Sequence, residues 1–241
     1  MDQLLAQLKD KMLAQARKNL KAIVLYGSAA RGEYHEEHSD LNVLVLLERA
    51  TAEDLQALHG AADWWMRKGH PAPPIFTLDE LRASADIFAI ELVDMKAHHR
   101  MLYGEDFFEQ LSVPMQLHRL QVERELRTNW VKLRQGILLA PSKDRALIAL
   151  MDAALSAFIT LFRHALIALG EEPPVGGREV VAHLARVVGS RPDAFWSILR
   201  VREGKQKASE LNVSNTLHDY LELVERVTCE VDRRLASVPA D

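Results

Sequence analysis

The 241-residue sequence predicts an α/β domain, a small mixed sheet with flanking helices, followed by an all-α helical bundle. Three observations lead there. Two apolar runs of strand length, Ala22 to Tyr26 and Leu41 to Leu47, stand on either side of a polar loop that begins at Gly27-Ser28. Segments of helical periodicity flank these runs. After Phe108 the strand signals stop, and every long segment that remains reads as helix.

In chain order, Leu4, Leu5, Leu8, Met12 and Ala16 fall at helical spacing and make an amphipathic first helix ending near Asn19. The two apolar runs that follow lack polar alternation, so they suit a sheet covered on both faces. Thr51, with Asp54 three positions later, is a capping-box-like start to a helix reaching about Lys68 and closed by Gly69 and Pro71. Pro74 to Thr77 reads as a short third strand, which its prolines confine to an edge or a strand start. Thr77 to Glu80 is a second helix cap. Residues 86–103 mix the helical and strand periods and leave both readings open. The bundle is read from residues 115–136, 144–169, 178–188, 193–202 and 210–236, with breaks at Pro141, Pro173-Pro174, Gly189 to Pro192 and Gly204. The expected domains are 1–108 and 109–241.

Composition narrows the function classes. Apolar residues make up 48% and charged residues 27%, ordinary for a globular protein, and the net charge of −4 offers no basic surplus for nucleic acid. Charge is uneven but mild: residues 1–108 hold 12 Lys and Arg against 17 Asp and Glu, or −5, which leaves +1 for the remainder. Cys229 stands alone, so no intramolecular disulfide is expected and a reducing compartment is. The N-terminus, MDQLLAQLKDKM, spaces charges through its apolar residues unlike a signal peptide. No uninterrupted apolar run approaches the roughly 18 residues of a membrane span. The expectation is a cytoplasmic protein with no membrane partner.

The chemistry concentrates in residues 25–45, LYGSAARGEYHEEHSDLNVLV. Gly27 lets backbone N–H groups approach a phosphate closely, because it has no side chain. Ser28 can donate a hydroxyl hydrogen bond, Arg31 can fork onto a phosphate, and Asp40 can hold a divalent ion. This stretch resembles the signature of the DNA polymerase β-like nucleotidyltransferase superfamily: hydrophobic-Gly-Ser, about ten residues, then Asp-hydrophobic-Asp or Asp-hydrophobic-Glu on a strand. Gly27, Ser28 and Asp40 match, and the GSAARG run is similar to the small bacterial branch of minimal and kanamycin nucleotidyltransferases. The resemblance covers residues 22–47 by motif and the helical C-terminal domain by architecture.

The resemblance implies transfer of an NMP unit from an NTP to an acceptor, with two Mg²⁺ ions held by three carboxylates. Asp40 fills the first position, but Asn42 stands at the second, and the third aligns with Pro74 in a stretch, His70 to Leu78, that contains no acid. Each lost carboxylate removes roughly 4 kcal/mol per pair of unit charges at about 4 Å and an effective dielectric of about 20. The implied state is a catalytically degenerate member, with Mg²⁺ weak or absent and an NTP as ligand. The alternatives are a weakly active single-metal transferase on Asp40, with Glu91 or Asp94 as a substitute ligand, and a nucleotide- or partner-binding module of a toxin–antitoxin-like pair. A homodimer or a protein partner is compatible with either.

A third alternative comes from Arg178 and His183, an R-x4-H pair whose spacing resembles the motif of the HEPN ribonucleases, where such a pair cleaves RNA by general acid–base chemistry. Glu179 departs from that pattern, and a solvated helix start is the competing reading. His98-His99 and His35 with His38 read as surface histidines. Of the adjacent Trp64 and Trp65, only one can face a helix core. Arg200, Arg202, Lys205 and Lys207 form the best local basic patch, to be weighed against a solvated turn.

Overall fold

In the computed structural model, which describes residues 1–32, 40–141 and 143–236, the chain forms two compact units, Met1–Pro114 and Met115–Asp241. The first unit contains α1 (Asp2–Ala16), β1 (Leu20–Tyr26), β2 (Asn42–Leu47), α2 (Ala52–Ala57), α3 (His59–Met66), β3 (Ile75–Thr77), α4 (Leu78–Ala83), α5 (Ala89–Ala97) and β4 (His99–Tyr103). Its four strands lie in the order β3-β2-β1-β4, with β1 antiparallel to both neighbours and β2 parallel to β3.

Both faces of this sheet are covered, which is why the two strands read as unbroken apolar runs. Ile23, Leu25, Val43, Val45 and Leu47 pack against Leu5, Leu8 and Met12 of α1 and Ala61 and Trp65 of α3. The alternating residues Ala22, Val24, Leu44 and Leu46 pack against Leu81 of α4, Leu92 and Met95 of α5, and Phe107, Phe108 and Leu111. Phe108 and Leu111 thus belong to the first unit.

The helix expected from Thr51 to about Lys68 is two helices. Thr51 and Asp54 do form a reciprocal capping box. The break falls at Leu58, where Gln15 of α1 reaches in and accepts the Ala61 N–H at 2.9 Å. Gly60 leaves room for that side chain, since a Cβ there would come within 2.7 Å of the Gln15 amide nitrogen. Thr77 and Glu80 form the second reciprocal box at the start of α4. Residues 86–103 read ambiguously because they hold a helix and then a strand. Trp65 is fully buried, and Trp64 lies half-buried beneath the Lys11 ammonium.

The second unit is helical throughout its described residues: α6 (Met115–Leu139), α7 (Asp144–Leu169), α8 (Gly177–Val187), α9 (Asp193–Arg202) and α10 (Val213–Ala236). α7 is central and contacts each of the other four. Charged residues interrupt it in sequence, yet by length and composition it is apolar enough to cross a membrane. Its Leu155, Phe158, Phe162 and Leu166 are buried, with Phe158 and Phe162 packed against Phe195 of α9. Phe195 in turn stacks on Tyr220 of α10, ring centroids 3.9 Å apart.

This core also contains a histidine pair. His118 of α6 and His164 of α7 are fully buried, with Nε2 of the first 3.0 Å from Nδ1 of the second. Burial, reinforced by the Arg119 charge, pushes the His118 imidazole down to about 4. The folded state therefore binds this proton more weakly than the unfolded chain, so stability is complete above the unfolded value near 6.5 and falls as the pH drops toward 4. The expected loss is about 3 kcal/mol. Urea unfolding of the full chain at a series of pH values between 7 and 4 measures it, and His118→Gln should flatten the slope.

Candidate functional site

The site is built at one end of the sheet, where β1 ends and β2 begins. β1 stops at Tyr26 because Gly27 turns the chain into the left-handed region, φ +75°. The Gly27 carbonyl then accepts the N–H groups of Ala30 at 3.1 Å and Arg31 at 3.2 Å, closing a single 3₁₀ turn over Gly27–Ala29. Ala29 is buried in the α1-side core and pins the turn to the sheet. Ser28 sits half-buried in its middle.

Antiparallel pairing sets Tyr26 directly opposite Asn42, the first residue of β2. Asn42 lies against the turn: a Cβ on Gly27 would stand 3.1 Å from its side-chain nitrogen. Asp40 is exposed, two residues ahead of β2. Gly27, Ser28, Asp40 and Asn42 are therefore brought to one place. The Pro74 carbonyl accepts the Val45 N–H at 3.0 Å. By strand alternation Pro74 shares its sheet face with Phe76, which packs with Leu44 and Leu46, and hence with Asn42. It carries no carboxylate.

Arg31 does not project from the turn. Its Nη1 donates to Oδ2 of Asp94 on α5 at 2.6 Å, and the two side chains are only 10% and 16% exposed. The sequence reading gave Arg31 to a phosphate and offered Asp94, or else Glu91, as a substitute metal ligand; in the structure Arg31 and Asp94 are joined to each other. Glu91, one turn earlier on α5, is exposed. Burial raises the Tyr26 phenol above its ordinary range, and the nearby Glu91 carboxylate adds to that shift.

Sequence reasoning missed His70. The Leu41 N–H donates to its Nδ1 at 3.3 Å, and its ring lies 4.4 Å from that of Trp65. Burial holds the imidazole below its ordinary range, with the Asp40 carboxylate opposing. His70 thus steadies the segment between Asp40 and β2. No local pattern announces a contact across 29 positions of chain.

The resemblance implies three carboxylates around a pair of divalent ions, at positions 40, 42 and 74. Of the three ligand positions only Asp40 is acidic. Among the described residues, the one trio of metal-ligating side chains whose donor atoms lie within 4.8 Å of one another is His218, Asp219 and Glu222 on α10. Arg226 already holds Glu222 there, at 2.8 Å.

The remaining candidates are engaged elsewhere. Arg178 donates to Glu203 at 3.0 Å, while His183 meets Glu171 at 3.2 Å, so each faces a different carboxylate. His99 bridges the Met95 carbonyl and Asp106, at 2.8 and 2.9 Å, which makes it a brace between α5 and the following loop. Arg200 is tied to Ser197 and Gln206, Arg202 to Asp152 and Ser156, and Lys205 to Glu203. His35 and His38 lie outside the described residues.

Fold and site together define an α/β domain of the nucleotidyl-transfer type. Residues 5–115 match the nucleotidyltransferase domain family. Its fold is similar to that of spectinomycin adenyltransferase AAD(9) from Enterococcus faecialis, whose crystal structure holds ATP and spectinomycin. The TM-score is 0.54 at 15% identity, over 92% of this chain and 98% of that one. No curated protein sequence matches the chain.

Gly27→Ala tests the turn. The methyl would demand a left-handed backbone that L-residues resist and would press on Asn42. We expect a loss of about 1–3 kcal/mol in urea unfolding. Ser28→Ala, whose backbone demands nothing special, should leave stability within about 0.5 kcal/mol.

Proposed function

We propose that this protein binds a nucleoside triphosphate at the Gly27-Ser28 turn and has lost most of the superfamily's transfer chemistry. The observation that carries the reading is Asn42. It stands at the second ligand position, at the start of β2 and against Gly27, so it occupies the metal side of the site with a neutral amide. The third position, Pro74, has no charge either. The match of residues 5–115 to the nucleotidyltransferase domain family supports a nucleotide as ligand, as does the ATP held by the spectinomycin adenyltransferase.

In this reading the backbone and hydroxyl of Ser28 hold phosphate oxygens, as close approach at Gly27 permits. Asp40 is the one remaining carboxylate that faces a cation brought in with the phosphates. The superfamily's metals supply charge neutralisation when bound; here one carboxylate in place of three holds such a charge several kcal/mol less firmly. The protein is then a nucleotide-binding module, and any transfer it performs is slow.

Restoring an acid tests this. Asn and Asp are nearly isosteric, so Asn42→Asp adds charge beside Asp40 at little steric cost. In EDTA the two carboxylates repel, and the variant should lose about 1 kcal/mol relative to wild type. With Mn²⁺ it should recover and exceed the wild-type metal response. Thermal melting of both proteins, each with EDTA and with Mn²⁺, makes the comparison. An identical metal response in the two would show that position 42 does not face the metal side.

A further inference from the structure

We propose that the end of α6 and the start of α7 form a membrane-docking element. Leu138 and Leu139 enter the interfacial layer of a bilayer, and Lys132, Arg134, Lys143 and Arg145 meet its anionic lipids. The inference is independent of the nucleotide-site reading and lies entirely within the second unit.

Packing decides which way the leucines face. Leu133 is buried, and at Gly136 the two helices come so close that a Cβ would stand 2.5 Å from a methyl of Leu150 on α7. That side of α6 is committed to the bundle. Helical spacing puts Val131 and Leu138, two turns apart, on the opposite side. Leu138 is 83% exposed, Leu139 82% and Val131 48%. The first two are the most exposed large apolar side chains among the described residues. Single exposed apolar residues are ordinary on a protein surface, but an adjacent pair in the last turn of a helix, with a valine beside it, makes a patch.

Charge says what covers that patch. The whole chain carries a net −4, yet this end of the unit is basic. Lys132, Arg134, Lys143 and Arg145 are all exposed, and between positions 131 and 145 the one carboxylate is Asp144. Lys132, Lys143 and Arg145 form no ion pair among the described residues, and Arg134 lies over the Trp130 ring, 4.8 Å from its centroid. By helical spacing Lys132 and Arg134 flank the apolar side of α6, one on each side. Lys143 and Arg145 stand at the start of α7.

A second copy of the chain would bring these cations against one another. A stable protein interface also buries roughly 800 Å² on each partner, more than three side chains in a helix end can offer. A bilayer needs no complementary shape. It takes apolar side chains into its interfacial layer and attracts neighbouring cations when its lipids are anionic. The long stems of Lys and Arg keep the charges at the lipid phosphates while the leucines go deeper. Neither signal alone holds a protein firmly, so the attachment is weak, reversible and dependent on both. It requires no spanning segment.

Sedimentation of the full chain with vesicles tests the proposal, using phosphatidylcholine alone and phosphatidylcholine with about one-third phosphatidylserine. Wild type should bind the anionic vesicles about tenfold more strongly than the neutral ones. Raising the ionic strength from about 0.1 M to about 1 M shortens the screening length from about 10 Å to about 3 Å and should remove most of that difference. Leu138→Gln with Leu139→Gln should weaken binding to the anionic vesicles about tenfold or more, and so should Lys143→Gln with Arg145→Gln. Val175 is an apolar residue 56% exposed beyond the far end of α7. Val175→Gln should change binding by less than about twofold. Thermal melting should find every variant folded, because all five positions are exposed. Wild type that stays in the supernatant with anionic vesicles would overturn the proposal, as would binding that survives the paired leucine change. Self-association of wild type that the leucine change abolishes, without vesicle binding, would overturn it in favour of a second copy of the chain.

Discussion

The antiparallel pairing of β1 with β2 is the constraint on which the rest depends. It sets Tyr26 opposite Asn42, so the turn that ends one strand meets the residue that begins the other. Every feature of the site is a consequence of that register. Gly27 must be glycine because the chain reverses there with φ positive while Asn42 crowds its α-carbon. Asp40 falls just outside the sheet, where it is exposed. A slip of one residue would turn the start of β2 to the other face and place Asn42 among the α1-side apolar residues.

On that frame the site is unusual in its charges. The superfamily's chemistry needs concentrated negative charge to hold dications, and this sheet end provides a single carboxylate from the expected set. Two further acids, Glu91 and Asp94, do approach from α5. One of them is neutralised by Arg31, and the other stands near Tyr26. In the proposed reading, the turn keeps a backbone suited to phosphate while the charge that would drive transfer is reduced.

Much of this was legible in the sequence, and the reasons are specific. The strands were visible because both faces of the sheet are covered, which leaves an unbroken apolar signal in residues 22–26 and 41–47. The capping boxes at Thr51 and Thr77 were visible because a cap is a local interaction over three positions. The turn at Gly27-Ser28 and the neutral side chain at 42 were visible because they belong to one short motif. What stayed hidden depends on distance along the chain. Gln15 splitting the α2–α3 segment, His70 steadying Leu41, and Asp94 holding Arg31 are contacts across tens of residues. Arg31 was offered as a phosphate ligand from its place in the motif, and its covered ion pair with Asp94 is a contact that the motif does not announce.

The central claim is a nucleotide site without strong metal dependence. Calorimetric titration of ATP into the wild-type protein, with Mg²⁺ and again with EDTA, tests it most directly. Losing several kcal/mol from a micromolar site, at about 1.4 kcal/mol per tenfold, puts the dissociation constant in the high micromolar range or weaker, and removal of Mg²⁺ should change it by less than about tenfold. A submicromolar constant that collapses in EDTA would contradict the account and show that carboxylates beyond Asp40 complete the site.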